Sequence, residues 1–493
     1  MEIALQAIQN NAALSRGHPS EGTPGILIVV AVTVAILAGA LSALFGGLVA
    51  LIFFAVVSFM LFAISDYRAG ILIAMVLLPL SASRLVPREM LGITGLNPLN
   101  VTLAMAGLSV AFMWLFQRHR MAVPRIPRPF LLYGAVIAFA AAYGTTQVGM
   151  IPPFFRTLEI INFDSAGGYL RDVFLKPMLM LGTAFLLAIL VRNAKRPQRF
   201  LLPFFLSAMV LPLFVIGYIA SSGVSLGALA SQQARDVLSI TGMHANELGL
   251  MFNMSFALAL FTVLGARGLT RWALIATCAV LVVAVLLTFS RGAFLGLLTV
   301  AGIFLITQRR FKILFAGMLL LPLSILLLPD AVIERATTGL ENRSIAAITA
   351  GRVDDIWRPI LPEISKSPVI GHGLHSMLWL EPVAAGATLK VGHPHNAYLA
   401  TLLDVGVGGA LIVGWFFWRM RRQFAEQRAR LADPLWQNFF RGATACILLL
   451  LIQGITDDRF TPTFPQTYLW LAYGMAIGLA GRLQEPDSQE RTK

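Results

Sequence analysis

Runs of about 20 consecutive apolar residues, each able to cross a hydrocarbon core of roughly 30 Å, recur along this chain and leave it few folds to choose from. In lipid, every backbone amide and carbonyl must find its partner within the protein, so a spanning segment is either a helix or a strand of a closed barrel. Barrel strands would read as alternating segments of about ten residues, and no such pattern is present in the sequence. The apolar runs lie near 25–43, 45–64, 69–83, 98–117, 130–147, 173–191, 200–220, 244–265, 272–289, 292–307, 312–328, 395–418, 441–455 and 465–481. The expected fold is all-α: a polytopic helical membrane protein with about 12–14 transmembrane helices and one long outer loop. Composition agrees, since only 13% of the residues are charged, against roughly 25% in soluble domains.

The connections alternate in charge. One set is basic: Arg118-His119-Arg120 with Arg125 and Arg128; Arg192 with Lys195, Arg196 and Arg199; Arg267 with Arg271; Arg309-Arg310 with Lys312; and Arg419, Arg421, Arg422, Arg428 and Arg430. The other set, 84–97, 148–172, 221–243, 290–291, 329–394 and 456–464, is balanced. The positive-inside rule puts the basic set and both termini in the cytoplasm and the long loops 148–172 and 329–394 outside. The same rule accounts for the net charge of +14, so no nucleic-acid partner is expected. The small residues around Ala40 to Ala43 faintly resemble a cleavage site, but an apolar run follows at once, so the first span is read as uncleaved. Cys278 and Cys446 lie in apolar runs without paired spacing and read as buried thiols.

Residues 1–493 read as one integral membrane domain, with 329–394 as a subdomain between spans. A loop of that length is usually functional or disordered. Within it Val353, Ile356, Trp357, Ile360, Leu361 and Ile364 follow helical spacing, while Pro359 and Pro362 limit any helix to short pieces. Such a segment either lies on the outer membrane surface or packs as a lid over the bundle.

Four places carry residues suited to chemistry. His393-Pro394-His395-Asn396 opens a hydrophobic helix whose first-turn amides and dipole favour an anion. Two residues apart, the histidines cannot share a helical face, so one should face the site and the other support it or face water. Gly406, Ala410 and Gly414 further along form a small-residue stripe that permits close packing. Ser290-Arg291-Gly292 is a tight outer turn, where Arg291 either snorkels to headgroups or offers a bidentate fork to a diphosphate. His244-Ala245-Asn246-Glu247 opens another apolar run, with Asn246 and Glu247 suited to capping or to a sugar hydroxyl. Gly351-Arg352-Val353-Asp354-Asp355 and Gly371-His372-Gly373 lie in the long loop; the glycines read as a turn, not a nucleotide loop, and neither Asp354-Asp355 nor Asp457-Asp458 is expected to hold a metal. Arg156, Arg171 and Arg235 are further outer cations.

In order, Ser290-Arg291-Gly292, Gly351-Arg352 with Trp357, Gly371-His372-Gly373, and His395-Asn396 followed after nine residues by Gly406-Val407-Gly408-Gly409 resemble the O-antigen ligase and O-antigen polymerase superfamily of bacterial envelopes. The resemblance covers roughly 240–415 and is most specific in its last part. It implies an inverting glycosyltransferase on the periplasmic face of the inner membrane. The donor would be a glycan on undecaprenyl diphosphate. The acceptor would be the lipid A core for a ligase, or another lipid-linked glycan for a polymerase; the spacing after His395 leans to the ligase. Neither cofactor nor metal is implied. On this reading His395 is the general base and Arg291 neutralises the diphosphate, while His393, Asn396, His244, Arg352, Arg235, Arg171 and Arg156 contact substrate. The rival classes are a lipid-linked glycan transporter, which the clustering of polar residues at the outer rim disfavours, and a non-catalytic scaffold.

Overall fold

The computed structural model describes residues 66–83, 86–87, 89–90, 93–94, 96–116, 121–223, 238–310, 351–386, 388, 390–456 and 459–483. The expected spans at 25–43, 45–64 and 312–328 lie outside the described residues. So do Arg118-His119-Arg120, Arg235, Asp457-Asp458 and the 329–350 part of the long loop.

The remaining spans are helices. They are α1 (Tyr67–Leu80), α2 (Pro98–Phe116), α3 (Arg128–Thr145), α4 (Lys176–Arg192), α5 (Leu201–Ser221), α6 (Ala245–Thr262), α7 (Gly268–Leu286) and α8 (Arg291–Thr307). A nine-residue helix, α9 (Arg358–Lys366), precedes α10 (Ala397–Arg430), α11 (Pro434–Gln453) and α12 (Thr467–Leu483). Between α1 and α2, Glu89–Met90 and Ile93–Thr94 form a two-residue antiparallel pair, Glu89 opposite Thr94. Among the described residues, six helical stretches are long and apolar enough to cross a membrane. The protein is a multi-pass helical membrane protein.

Some helices outrun the apolar pattern. α10 continues to Arg430, past the expected end at 418, because a helix leaving the membrane keeps its backbone bonds while its side chains turn polar. Arg422 and Glu426, one turn apart at 3.1 Å, support that extension. α11 begins at Pro434, with Asp433 as its cap: the carboxylate accepts from the Leu435 amide at 2.9 Å. The outer loop expected over 148–172 ends early too. Helix starts at Ala166 and runs through a wider turn, Leu170–Leu175, into α4, so Arg171 sits on a helix and not on a loop.

α12 forms the middle of the bundle: from Tyr468 to Ile477 every residue is buried, as expected of a helix apolar on all sides. Its partner is α4. A Cβ on Gly474 would overlap the Ala184 carbonyl, and one on Gly478 the Ala188 carbonyl, so two small-residue rows meet backbone to backbone. Behind them, α6 packs against α7, α8 and α11. Gly249 of α6 faces Ala293 of α8 closely enough that a Cβ would overlap the alanine methyl.

α10 is two helices joined at a break. Gly406 has φ 66° and ψ −175°, a conformation open essentially to glycine alone. Four of the backbone groups around the break pair with the segment that follows α9. The amides of His372 and Gly373 donate to the carbonyls of Leu403 (2.7 Å) and Asp404 (3.0 Å). The amides of Val407 and Gly408 donate to those of Pro368 (2.7 Å) and Val369 (3.2 Å). The expectation that Gly406, Ala410 and Gly414 form a packing stripe is therefore corrected. Gly406 is the break, and Gly414 has open space where a Cβ would stand.

The long loop packs on the bundle where it is described. Ile356 and Ile360 are fully buried, and Trp357 and Ile364 pack against the core. This favours the lid over the surface-lying segment. Pro359 sits in the first turn of α9, where a missing amide costs nothing, so the helix forms despite it.

Candidate functional site

The site is built around the start of α10. Asn396 caps that helix: its side-chain oxygen accepts from the amides of Tyr398 (3.0 Å) and Leu399 (3.1 Å). Tyr398 donates its hydroxyl to the Leu451 carbonyl at 2.7 Å, and the Ala397 amide donates to the Gly454 carbonyl at 2.7 Å. These bonds lay the start of α10 against the end of α11. From the other side, the Trp357 indole N–H donates to the Pro394 carbonyl at 2.7 Å, fixing the turn between the two histidines.

In that turn His395 takes a left-handed conformation, φ 51°, uncommon for a non-glycine residue. Its ring meets that of His393 edge to face, 3.9 Å between centres. Burial first, then the positive fields of Arg459, His244 and Arg352, hold His393 down at about 3. Its Nδ1 is buried without a hydrogen-bond partner. His393 is thus neutral across the physiological range.

Two small cavities adjoin beneath this turn. One is lined by His375, Ser376, His393, Pro394, Asp404 and Arg459 among others; the second shares Ala400, Asp404 and Arg459 with it and adds Ile137, Thr401 and Phe460. Asp404, buried in α10 two residues before the break, accepts from the Ser376 amide at 2.9 Å and from its hydroxyl at 2.7 Å. Arg459 Nη1 meets Nε2 of His375. His375 itself has φ 61°, and burial, then the fields of Arg459 and His393, keep it well below the ordinary imidazole range. The loop that carries His375 is held by Tyr169, whose hydroxyl donates to the Leu374 carbonyl at 2.6 Å, and by Trp379, whose indole donates to the His372 carbonyl at 3.2 Å.

The structure brings together His393, His395, His244 and Arg352 from the residues singled out in the sequence. His244 precedes α6, and its amide donates to the Glu247 carboxylate at 2.7 Å, so Glu247 is a capping group. Asn246 is bonded to the Ser290 hydroxyl, which also accepts from the Ala293 amide at 3.2 Å to cap α8. That ties the starts of α6 and α8 together. Arg291 follows as the first, exposed residue of α8. Arg171 forms an ion pair with Asp172 at 2.9 Å, and Arg156 is exposed on a short helical turn. Neither of these arginines, nor Arg291, lines the two cavities. Asp354 pairs with Arg358 at 2.9 Å.

The sequence reading passed over Asp404, His375 and Arg459. Asp404 carried a signal, since an acid inside an apolar run is costly and usually functional. Arg459 carried none: it reaches the site only because α10 and α11 close upon each other.

A family model described as Wzy_C, O-Antigen ligase, matches residues 275–414. Those residues carry an O-antigen ligase family domain of the ligase and polymerase superfamily. The matched stretch runs from α7 through the first half of α10. It contains Arg291, Arg352, His375, His393, His395 and Asp404, while His244 and Arg459 reach the site from outside it. No curated protein matches the chain.

The desolvated imidazoles give a pH prediction. An exposed histidine takes its proton near about 6.5, whereas folded His393 does so at about 3. Between those values the unfolded chain binds more protons, so this contribution to stability is complete above about 6.5 and is lost as pH falls through the window. His375 adds in the same direction. Stability in detergent should fall between about pH 6.5 and 4.5 by about 1.4 kcal/mol per pH unit for His393, read as a falling melting temperature. His393→Asn should flatten the fall; equal slopes for the two proteins would contradict the burial argument.

Proposed function

We propose that the protein is an inverting membrane glycosyltransferase. It moves a glycan from undecaprenyl diphosphate to a sugar hydroxyl on the lipid A core, at the periplasmic face of the bacterial inner membrane. The observation that carries this reading is the gathering of His395 and His393 with Arg352, His244 and Arg459 at the mouth of the broken helix α10, mostly within the O-antigen ligase stretch. A cluster of cations beside an imidazole suits one kind of substrate: an anionic leaving group on one side of a carbon, and a hydroxyl that must lose a proton on the other.

In the proposed step the acceptor oxygen forms a bond to the anomeric carbon as the bond from that carbon to the diphosphate oxygen breaks. The hydroxyl proton goes to His395, and the electron pair leaves with the lipid diphosphate. The diphosphate is already a good leaving group, so the protein supplies charge stabilisation, orientation and one proton acceptor. Arg291 and Arg352 are assigned to the diphosphate; an arginine fork matches its oxygens two at a time. Attack opposite the leaving group inverts the anomeric centre.

The test is transfer by purified protein in lipid, given undecaprenyl-diphosphate glycan with and without a lipid A core acceptor. Glycan on the lipid A core, only when that acceptor is present, is the expected result. A ladder of longer lipid-linked glycans without the acceptor would replace ligase with polymerase. No new glycosidic bond under either condition, with intact donor and matched acceptor, would move the assignment to transport.

A further inference from the structure

Arg291 and His395 stand at the starts of two different helices, α8 and α10, and the end of α11 is bonded to both. Gln453 is the last residue of α11, outside the matched stretch. Its side-chain amide donates to the carbonyl of Gly292, the neighbour of Arg291, at 2.7 Å. The next carbonyl along the chain, that of Gly454, accepts from the Ala397 amide at 2.7 Å, just past His395. That amide is a first-turn donor with no partner inside its own helix, so the bond fixes where α10 begins. The Leu451 carbonyl, which accepts from the Tyr398 hydroxyl at 2.7 Å, adds a second hold on the same turn.

α8 is also held from α6. The Asn253 side-chain amide donates to the Ala293 carbonyl at 2.8 Å. Gly296 of α8 lies so close that a Cβ there would overlap the amide nitrogens of both Asn253 and Gln453. Two carboxamides from two helices are thus wedged against the first turn of α8. Both are buried, and their oxygens, Asn253 Oδ1 and Gln453 Oε1, have no hydrogen-bond partner among the described residues. The net gain from one hydrogen bond is commonly smaller than the cost of a buried acceptor left bare. Stability alone would favour an apolar side chain of the same shape at 453, so the carboxamide is explained better by where it holds α8.

We propose that Gln453 is a positioning residue for glycan transfer. Through the Gly292 carbonyl it sets Arg291 against His395, the two groups assigned to opposite sides of the anomeric carbon. This rests on the glycosyl-transfer reading above. A displacement of about 1 Å between reacting groups can cost about 10²-fold in rate. The plain alternative is packing, in which Gln453 only joins α11 to α8. The two differ in whether loss of the carboxamide acts through Arg291.

Gln453→Met keeps the length and bulk of the side chain and removes both the donor and the bare acceptor. It is compared with wild type, Arg291→Lys and the Arg291→Lys/Gln453→Met double variant, each purified in lipid. In Gln453→Met, kcat should fall by roughly 10- to 100-fold, with the melting temperature unchanged. KM for the undecaprenyl-diphosphate glycan and for the acceptor should stay within about threefold of wild type. In the Arg291→Lys background the same substitution should cost less than about twofold, because the group it positions is already gone. A full, additive loss in the double variant would establish packing and overturn the proposal. So would an unchanged kcat with a lowered melting temperature in the single variant. Gln453→Asn, one methylene too short to reach Gly292, is read in the same way if the methionine variant does not fold. Hydrogen exchange needs no product. Amide exchange across 293–297 should rise in Gln453→Met, while 397–403, pinned by backbone bonds, should exchange as in wild type. No rise at the start of α8 would also overturn the proposal. If wild type makes no product, the transfer reading fails. There, or where Arg291→Lys leaves no turnover to measure, exchange decides: a rise confined to the start of α8 upholds the hold of Gln453 on that turn, and no rise removes it.

Discussion

Replacing Gly406 with alanine should cost the protein at least about 3 kcal/mol and leave little of it folded in detergent. Two effects act together. At φ 66° and ψ −175° an L side chain is strained whatever the space around it, at about 1–3 kcal/mol. Here there is no space either, because a Cβ would overlap the Val369 carbonyl group. The backbone cannot withdraw without losing hydrogen bonds. Val407 and Gly408 donate to Pro368 and Val369, while His372 and Gly373 donate back to Leu403 and Asp404. Each buried group left unpaired would cost about 1–3 kcal/mol. A shift of the loop would also draw Ser376 from the buried Asp404 carboxylate. Gly371 meets the same junction from the other side: its Cβ would stand 2.5 Å from the Gly406 nitrogen. Gly414→Ala is the control. That glycine is helical with open space where a Cβ would stand, so alanine there should be neutral or stabilising by about 0.5–1 kcal/mol. Melting followed by tryptophan fluorescence, with folded yield by gel filtration, separates the two. A Gly406→Ala protein that melts with wild type would mean that α10 does not break where described.

The same junction shows how far the sequence could be read. Spans such as 98–117 and 200–220 were legible because a membrane imposes a minimum length on any apolar run. The end of α10 at Arg430 was not, since hydropathy loses a helix once it enters water. Gly371-His372-Gly373 and Gly406-Val407-Gly408-Gly409 were both visible as glycine clusters. Their meaning lay in the pairing of one with the other, and no local rule predicts that four backbone bonds will join segments more than 30 residues apart. For the site, His393, His395, His244 and Arg352 could be picked by residue type at the outer ends of helices. Arg459 could not: it meets His375 across 84 residues of sequence, through the closure of α10 on α11. Asp404 was legible and passed over; an acid next to a glycine cluster in a lipid-facing run signals that the helix is interrupted and lined by something polar.

His395→Ala should lower glycan transfer by about 10²- to 10⁴-fold, the range expected when a general base is removed. The two histidines two residues apart are alike in sequence, and their surroundings separate them. A useful base has its pKa near the working pH. His393, at about 3 among Arg459, His244 and Arg352, is too weak a base to take a proton from a sugar hydroxyl in the resting enzyme. The proton is therefore assigned to His395, with the His393 ring packed edge to face against it as support. His393→Asn should accordingly cost less than His395→Ala. Because His395 sits at φ 51°, a left-handed conformation that histidine and asparagine adopt more readily than alanine, His395→Asn is the better companion variant. Asparagine tolerates that conformation and cannot act as the base. Equal inactivity of the two variants, both folded, with the asparagine variant melting with wild type, is the expected outcome in the purified transfer assay. Added imidazole should restore part of the turnover to His395→Ala, since the ring it lost lay in a half-buried site. If His395→Asn instead transfers glycan at near the wild-type rate while His393→Asn is dead, the base is His393, and the cations around it must be neutralised by the arriving diphosphate before its imidazole can accept a proton.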